Sequence, residues 1–445
     1  MLFWNMSKPH PILDNRKSML LFFFLWLFIP SLEGNIRSII CKELLAFLID
    51  WSLKMNDFET RYMNKNVWTK KTIDFYDENH LDHNSAYVKT ISNGLLLPQK
   101  NGIFPWGIGG CLDENGRFVE ESSVYNAFGG KYEYNENEVE QIDETIIYIP
   151  IIPKHWGHFL IDAVCRLWIF FDKNYTTDHL KIYYNAWGFQ NAEISGNYKQ
   201  LLELAGLYER MVPVSHVIRA KEIWIPSYTM SFSKTYSEKY KLIFEHVISK
   251  VMNSSDIQNL HPFKNVYFSR THLETSKNKE IGEKEFESVF EKNGFKILYP
   301  EELSLIEQVF YFQTSDIVCS MSGTIMHNIV FSGKNTKLFI LNRTCMMNHP
   351  QIMLNKLFPN QVLNIDVYET VTTKFPKDYG TGPFWIEPNG NFKKFLDDFG
   401  LQDEEIEYKT HCINEMKYFK SLLMFSLKYN VLTKYVYYSL MKLKK

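Results

Sequence analysis

The chain has 445 residues and a formal net charge of -2, so nothing in its overall charge draws it to nucleic acid. Hydrophobic residues make up 45% and charged residues 22%, which is the globular range and excludes a disordered or fibrous chain. The length exceeds one ordinary core and predicts two or three domains.

Aromatic residues at 16% allow large cores and aromatic-lined clefts of the kind in which sugar rings stack. The six cysteines, Cys41, Cys111, Cys165, Cys319, Cys345 and Cys412, include no CxxC pair and no zinc-finger spacing. They read as buried free thiols in a reducing compartment.

Residues 1–55 form an apolar and amphipathic N-terminal segment. Arg16 and Lys17 precede "MLLFFFLWLFIP", a run shorter than the ~20 residues that span a bilayer. It fits the core of a signal peptide, although "SLEG" after it is a poor cleavage site. A membrane-dipping anchor is the second reading. An upstream start, with Met55 as the true one, is the third. Ile36, Ile40, Leu44, Phe47 and Trp51 then fall near helical spacing.

Residues 56–144 are polar and turn-rich, and read as a strand-poor lead-in whose loops line or cover something. From Thr145 the pattern alternates. "TIIYIPII" predicts a short buried strand, "HWGHFLIDAVCRLW" a helix starting near Gly157, "LKIYYN" a strand and "GNYKQLLELAGLYERMV" a helix. "VIRAKEIWIP" is a strand pair or a strand with a turn, and "PSYTMSFSKTYSEKYKLIFEHVISKVM" a long helix. After a linker-like break near residues 254–264, a second series begins at Asn265, with Gly294 capping a helix. The expected fold class is therefore α/β, with two successive units built on open, largely parallel sheets. The tail from residue 391 is helical and rich in lysine, and reads either as a surface for anionic lipid or as a closing helix with solvated lysines.

Three stretches carry chemistry. In the first, His158 and Asp162 are four apart and share a helix face, with Arg166 one turn further on and His155 just before. A helix following a buried strand starts at the sheet edge where open α/β folds bind ligands. A His beside an Asp there serves as a general base. The alternatives are a hydrogen bond that staples the helix, or a metal site of His155, His158 and Asp162. In the second, Arg270 ends a strand, Lys277 and Lys279 follow, and Gly282 and Glu283 open a helix. Such cations beside a helix start can hold a diphosphate, or form an ordinary solvated loop. In the third, Ser322, Gly323 and Thr324 make a turn between strand and helix, with His327 and Asn328 in the first helical turns. Small residues there let backbone amides approach a phosphate.

Taken in order, "GHFLIDAVCRLW", "VYFSR" with its basic loop, and "GFKILYPEELSLIEQVFYFQTSDIVCSMSGTIMHNIVF" resemble glycosyltransferase family 61, over about residues 145–342. The resemblance implies two Rossmann-like domains facing across a cleft, the GT-B type, and metal-independent, inverting sugar transfer from a nucleotide-sugar. No cofactor is expected, the nucleotide-sugar being a substrate. The acceptor is a glycan or lipid-linked hydroxyl, as in capsular or other polysaccharide biosynthesis.

By the resemblance, residues 56–255 are the acceptor-side domain, with His158 and Asp162 catalytic and His155, Gly157 and Arg166 beside them. Residues 256–390 are the nucleotide-sugar domain, with Arg270, Lys279, Glu283, Ser322, Gly323, Thr324, His327 and Asn328 at the donor. Many family members place His where this chain has Ser322, and Arg where it has Lys277 and Lys279. The alternative from a different class is a non-catalytic sugar- or nucleotide-binding protein of an assembly complex. The termini suit peripheral contact with the cytoplasmic face of an inner membrane; a signal-anchor at residues 19–30 would instead make the protein lumenal.

Overall fold

The computed structural model describes residues 58–77, 86–231, 235–274, 276, 279–358, 360–373, 380 and 382–429. The expectations for residues 1–55, Lys277 and the end of the tail lie outside these. From Thr60 on, the described residues form one compact unit.

The first sheet has six strands in the order β2-β1-β6-β3-β4-β5. They are β1 (Val88–Lys100), β2 (Ile108–Leu112), β3 (Glu140–Pro153), β4 (Ile182–Trp187), β5 (Met211–Pro213) and β6 (Ile218–Pro226). β6, β3, β4 and β5 run parallel, while β1 lies antiparallel to both β6 and β2. The second half of β3 is buried on both faces, as Ile146, Ile147, Tyr148, Ile149, Ile151 and Ile152 show. A strand covered on both sides reads as a continuous apolar run.

Two expectations are corrected here. The lead-in is not strand-poor, because it supplies β1 and β2, and the sheet is consequently mixed. Ser92, Asn93 and Gly94 interrupt the apolar pattern of β1, and Pro98 sits where its register with β2 shifts. Both features hide a strand from a periodicity reading. "VIRAKEIWIP" resolves as the single strand β6.

The second sheet is wholly parallel, in the order β12-β11-β10-β7-β9. Its strands are β7 (Asn265–Phe268), β9 (Lys296–Leu298), β10 (Ile317–Met321), β11 (Lys337–Asn342) and β12 (Gln361–Asp366). A short pair, β8 (Glu280–Ile281) with β13 (Phe384–Trp385), stands beside it. The chain goes from β7 outward to β9, then crosses back to β10 on the other side of β7. That reversal makes the C-terminal ends of β7 and β10 the switch point, where open α/β sheets form a ligand crevice.

The helices follow the same logic. They are α1 (Lys70–Asp77), α2 (Gly196–Leu204), α3 (Lys241–Met252), α4 (Glu283–Lys292), α5 (Leu305–Thr314), α6 (His349–Leu357), α7 (Gly390–Phe399) and α8 (Tyr408–Tyr429). α5 opens with a reciprocal capping box between Ser304 and Glu307. Gly294 follows α4 with φ 77, a left-handed value that suits glycine after a helix end. α3 is shorter than the long helix read from the sequence.

One buried core joins the two sheets. It includes Ile147 and Ile182 from the first, Val266, Val318 and Leu338 from the second, and Phe244, Val247, Val309 and Phe312 from α3 and α5. The linker-like break also packs on it, through Ile257, Leu260 and Phe263. Two α/β sheets therefore flank the candidate site, consistent with a GT-B-like architecture, with a shared core behind it. α7 covers the second sheet, its Phe395 and Phe399 meeting Phe339 of β11 edge-on.

Candidate functional site

The first stretch is not one regular helix. Trp156–His158 is an α turn, Phe159–Ala163 a π turn and Val164–Phe170 a 3-10 helix. Nearly every residue from Phe159 to Ile169 is buried, so no single apolar stripe dictates a uniform pitch. Single π turns within helices occur often at functional sites. His155 caps the segment, its Nδ1 accepting from the backbone N–H of His158 at 3.5 Å.

His158 Nδ1 lies 2.8 Å from Asp162 Oδ2. The Asp162 side chain is 8% exposed and the His158 side chain 36%, so the carboxylate backs the imidazole and the imidazole faces outward. Trp106, from the loop between β1 and β2, meets the His158 ring edge-on at 5.0 Å, and Trp187 at the end of β4 lies 5.8 Å beyond it. The glycine-rich lead-in thus does line the site. Trp106 carried no signal in the sequence beyond belonging to that loop.

Arg166 departs from expectation. It is fully buried, with Nη1 donating to the Pro226 carbonyl at 2.6 Å and Nη2 to the Ser123 carbonyl at 3.3 Å. Its guanidinium lies 3.7 Å over the Tyr228 ring. The π turn and the 3-10 turn change the helical phase after Asp162. A face that would continue at 3.6 residues per turn therefore rotates Arg166 inward.

The first and third stretches touch. A Cβ at Gly157 would stand 2.7 Å from Thr324 Cγ2 and 3.0 Å from His327 Nδ1, so only a bare backbone fits there. Next to it, Trp156 Nε1 donates to Asn328 Oδ1 at 2.7 Å. Asn328 Nδ2 donates to Gln308 Oε1 at 2.9 Å, and Gln308 bonds the carbonyls of Pro300 and Leu303. Asn328 is thus a fully buried tie between the two stretches and α5 rather than an open donor contact.

His327 and His155 are both held neutral. Burial, then the neighbouring imidazoles of His158 and His155, push His327 down to about 3. Burial and His158 push His155 down to about 4. His327 Nε2 lies 3.2 Å from Asn348 Nδ2, and its Nδ1 has no hydrogen-bond partner.

The second and third stretches meet at the switch point. Arg270 follows β7, and a Cβ at Gly323 would stand 2.5 Å from Arg270 Nη1. Glu280 of β8 is buried between two arginines: it accepts from Arg270 Nε at 2.7 Å and pairs with Arg343 Nη1. Glu280 thereby holds both guanidiniums at this edge. Ser322 Oγ accepts from the Arg343 backbone N–H at 3.3 Å, so the Ser-Gly-Thr turn fixes where Arg343 leaves β11. Arg343 and Glu280 are the residues missed from sequence. Only the adjacency of β10 and β11 brings Arg343 to this edge. Lys279 is exposed, its ammonium 3.5 Å from the Gly380 carbonyl.

These three stretches, brought to one edge of the second sheet, coincide with a known family. Residues 156–339 match the family model Glycosyltransferase 61. The match suggests a sugar-transfer function. No curated protein matches the chain.

Within the residues that match this model, Glu283 supports Arg270 from beneath. Its Oε1 accepts from the Arg270 backbone N–H at 2.9 Å and from the Tyr267 hydroxyl at 3.1 Å. Burial pushes its carboxyl up to about 7 from 4.5, partly offset by Arg270. The folded state therefore binds a proton between pH 4.5 and 7 that the unfolded state does not. The stability from that proton is fully present below about pH 4.5 and is lost as pH rises through 7. Glu283→Gln mimics the protonated form. It is expected to be more stable than the parent at pH 8, by up to about 3 kcal/mol, with the difference vanishing near pH 4. Denaturant titrations at both pH values check this; an equal change at both would show that no such proton is bound.

Among the described residues, no group of three or more His, Cys, Asp or Glu side chains is placed to hold a metal ion. Both Nδ1 atoms of the His155–His158 pair are already engaged, on the His158 backbone and on Asp162. Cys111, Cys165 and Cys319 are buried thiols. Among the described residues no helix is long and apolar enough to cross a membrane.

Proposed function

We propose that the protein is an inverting, metal-independent glycosyltransferase of GT-B type, moving a sugar from a nucleotide-sugar to a glycan or lipid-linked hydroxyl in polysaccharide biosynthesis. One observation carries this reading. The bare face of Gly157, beside the His158–Asp162 pair, meets Thr324, and the residue before it in the same turn, Gly323, abuts Arg270. A His–Asp pair and an arginine beside a small-residue turn, far apart in sequence, thereby come close together.

In this reading the first sheet presents the acceptor and the second the donor. His158, the more exposed partner, takes the proton from the acceptor hydroxyl through Nε2 while Asp162 holds Nδ1. The hydroxyl oxygen attacks the anomeric carbon from the face opposite the nucleotide. The bond from that carbon to phosphate oxygen breaks, and its electron pair leaves with the nucleoside diphosphate. The transition state is oxocarbenium-like, as in glycoside hydrolysis. Negative charge growing on the diphosphate is met by Arg270, Arg343, Lys279 and the backbone of Ser322–Thr324. Such fixed electrostatic stabilisation is usually the largest catalytic term. Trp187, half-buried at the end of β4 and backed by the buried Trp106, offers the acceptor sugar an aromatic surface.

The test is a thermal-shift screen of nucleoside diphosphates and their sugars, followed by donor hydrolysis with and without acceptor. Turnover that survives a chelator supports the reading. Ligand binding without any turnover would leave a non-catalytic binding protein, and loss of turnover with chelator a metal enzyme.

Arg270→Ala is expected to weaken the nucleoside diphosphate by roughly 10–100-fold, the worth of a charge-assisted hydrogen bond. Arg270→Lys keeps the charge but loses the planar fork, and should fall between. Calorimetric titration of the nucleotide checks both; unchanged affinity would remove Arg270 from the donor site.

A further inference from the structure

Helix α8 carries an apolar stripe on the side away from the fold. Met416, Phe419 and Leu423 are 65%, 47% and 60% exposed, and their spacing of three and four puts them on one helical face. The opposite face is anchored. Tyr418 is fully buried beside Trp385, Asn414 donates to Glu285 and Glu387 at 3.2 Å each, and His411 meets Glu387 at 2.6 Å. Trp385 belongs to β13, the partner strand of β8, so the helix is fixed beside the strand that carries Glu280. Its outward face is therefore set by packing, not by a free choice of rotation.

The charge around that stripe is mostly positive, with Glu415 the one acidic residue of the helix. Lys409, Lys417 and Lys420 are exposed on the helix. From Tyr408 to the end of the sequence there are eight lysines and one acidic residue, Glu415, in a chain whose net charge is -2. We infer that α8 is a docking face for an anionic lipid surface: Met416, Phe419 and Leu423 enter the headgroup boundary and the flanking lysines meet lipid phosphates. An in-plane basic amphipathic helix binds through this pairing of apolar area and charge. A second copy fits less well, because joining two such stripes brings the lysines of both chains together, and like charges at an interface are unfavourable. The inference is independent of the sugar-transfer reading.

The test is co-sedimentation of the full chain with vesicles of phosphatidylcholine alone or mixed with phosphatidylglycerol. Binding is expected only to the anionic vesicles and is weakened by salt. The charge-reversed double variant Lys417→Glu, Lys420→Glu should bind about tenfold or more weakly. Met416→Ser with Leu423→Ser should weaken binding as well, while all variants keep the parent's thermal transition because the altered side chains are exposed. Binding that ignores lipid charge, or that none of these variants changes, overturns the proposal; the latter result would place membrane contact elsewhere in the chain. A concentration-dependent dimer in light scattering that Leu423→Ser dissociates, with no vesicle binding, would assign the stripe to a second copy instead.

Discussion

Asp162→Asn is expected to lower turnover by ~10²-fold or more while nucleotide binding survives. The two effects separate because Asp162 lies behind His158, 2.8 Å from its Nδ1, and touches none of the donor-side residues named above. The carboxylate does two things for a histidine base. It keeps the proton on Nδ1, which makes Nε2 the basic nitrogen, and it stabilises the imidazolium that forms. An amide keeps the shape but can present its NH2 group to Nδ1, which forces the proton onto Nε2 and blocks the base. The measurement is steady-state transfer beside calorimetric nucleotide binding on the same preparation. A fall in kcat with an unchanged nucleotide Kd supports the assignment. Turnover equal to the parent's would end it, and His158 and Asp162 would then be a staple within a buried helix.

Much of this site is legible in the sequence, for a local reason. The residues at a strand's C-terminal end and the start of the next helix lie close along the chain, so His158, Arg270 and the Ser322–Thr324 turn each stand beside a recognisable strand. The parallel sheet is legible for the same reason, since its strands are short apolar runs between clear helices. What is not legible depends on adjacency between elements. Arg343 reaches the switch point because β11 pairs with β10, and Glu280 joins it because the two-residue strand β8 finds β13 about a hundred positions later. Arg166 escapes a reading at regular pitch because the helix changes from α to π to 3-10. Asn328 has the position of a ligand contact, but the hydrogen bonds that fill its amide come from Trp156 and Gln308. A polar side chain in a motif can thus belong to the motif's architecture rather than to its chemistry.

Gly157→Ala tests that architecture directly. Gly157 is not strained in its backbone; its importance is the space it leaves. An added methyl would lie 2.7 Å from Thr324 Cγ2 and 3.0 Å from His327, both of which belong to the 3-10 helix after the Ser-Gly-Thr turn. His327 is fully buried and cannot swing aside, and the neighbouring bond from Trp156 to Asn328 ties the two segments at 2.7 Å. The segments must therefore part by several tenths of an ångström, or the rotamer of Thr324 must change. Overpacking of this kind costs about 1–3 kcal/mol of stability. The catalytic cost should be larger in proportion, because a displacement near 1 Å between reacting groups can remove ~10²-fold in rate. The expected result is a folded variant with a modestly lower Tm, near-normal nucleotide binding and turnover clearly reduced, though less than in Asp162→Asn. Thr324→Ser shortens the opposing side chain and should recover part of the activity when combined with Gly157→Ala. Rescue by the second substitution would show that the contact acts by setting the distance between base and donor. If Gly157→Ala alone keeps full turnover, the two halves of the site do not depend on this contact and the proposed geometry falls with it.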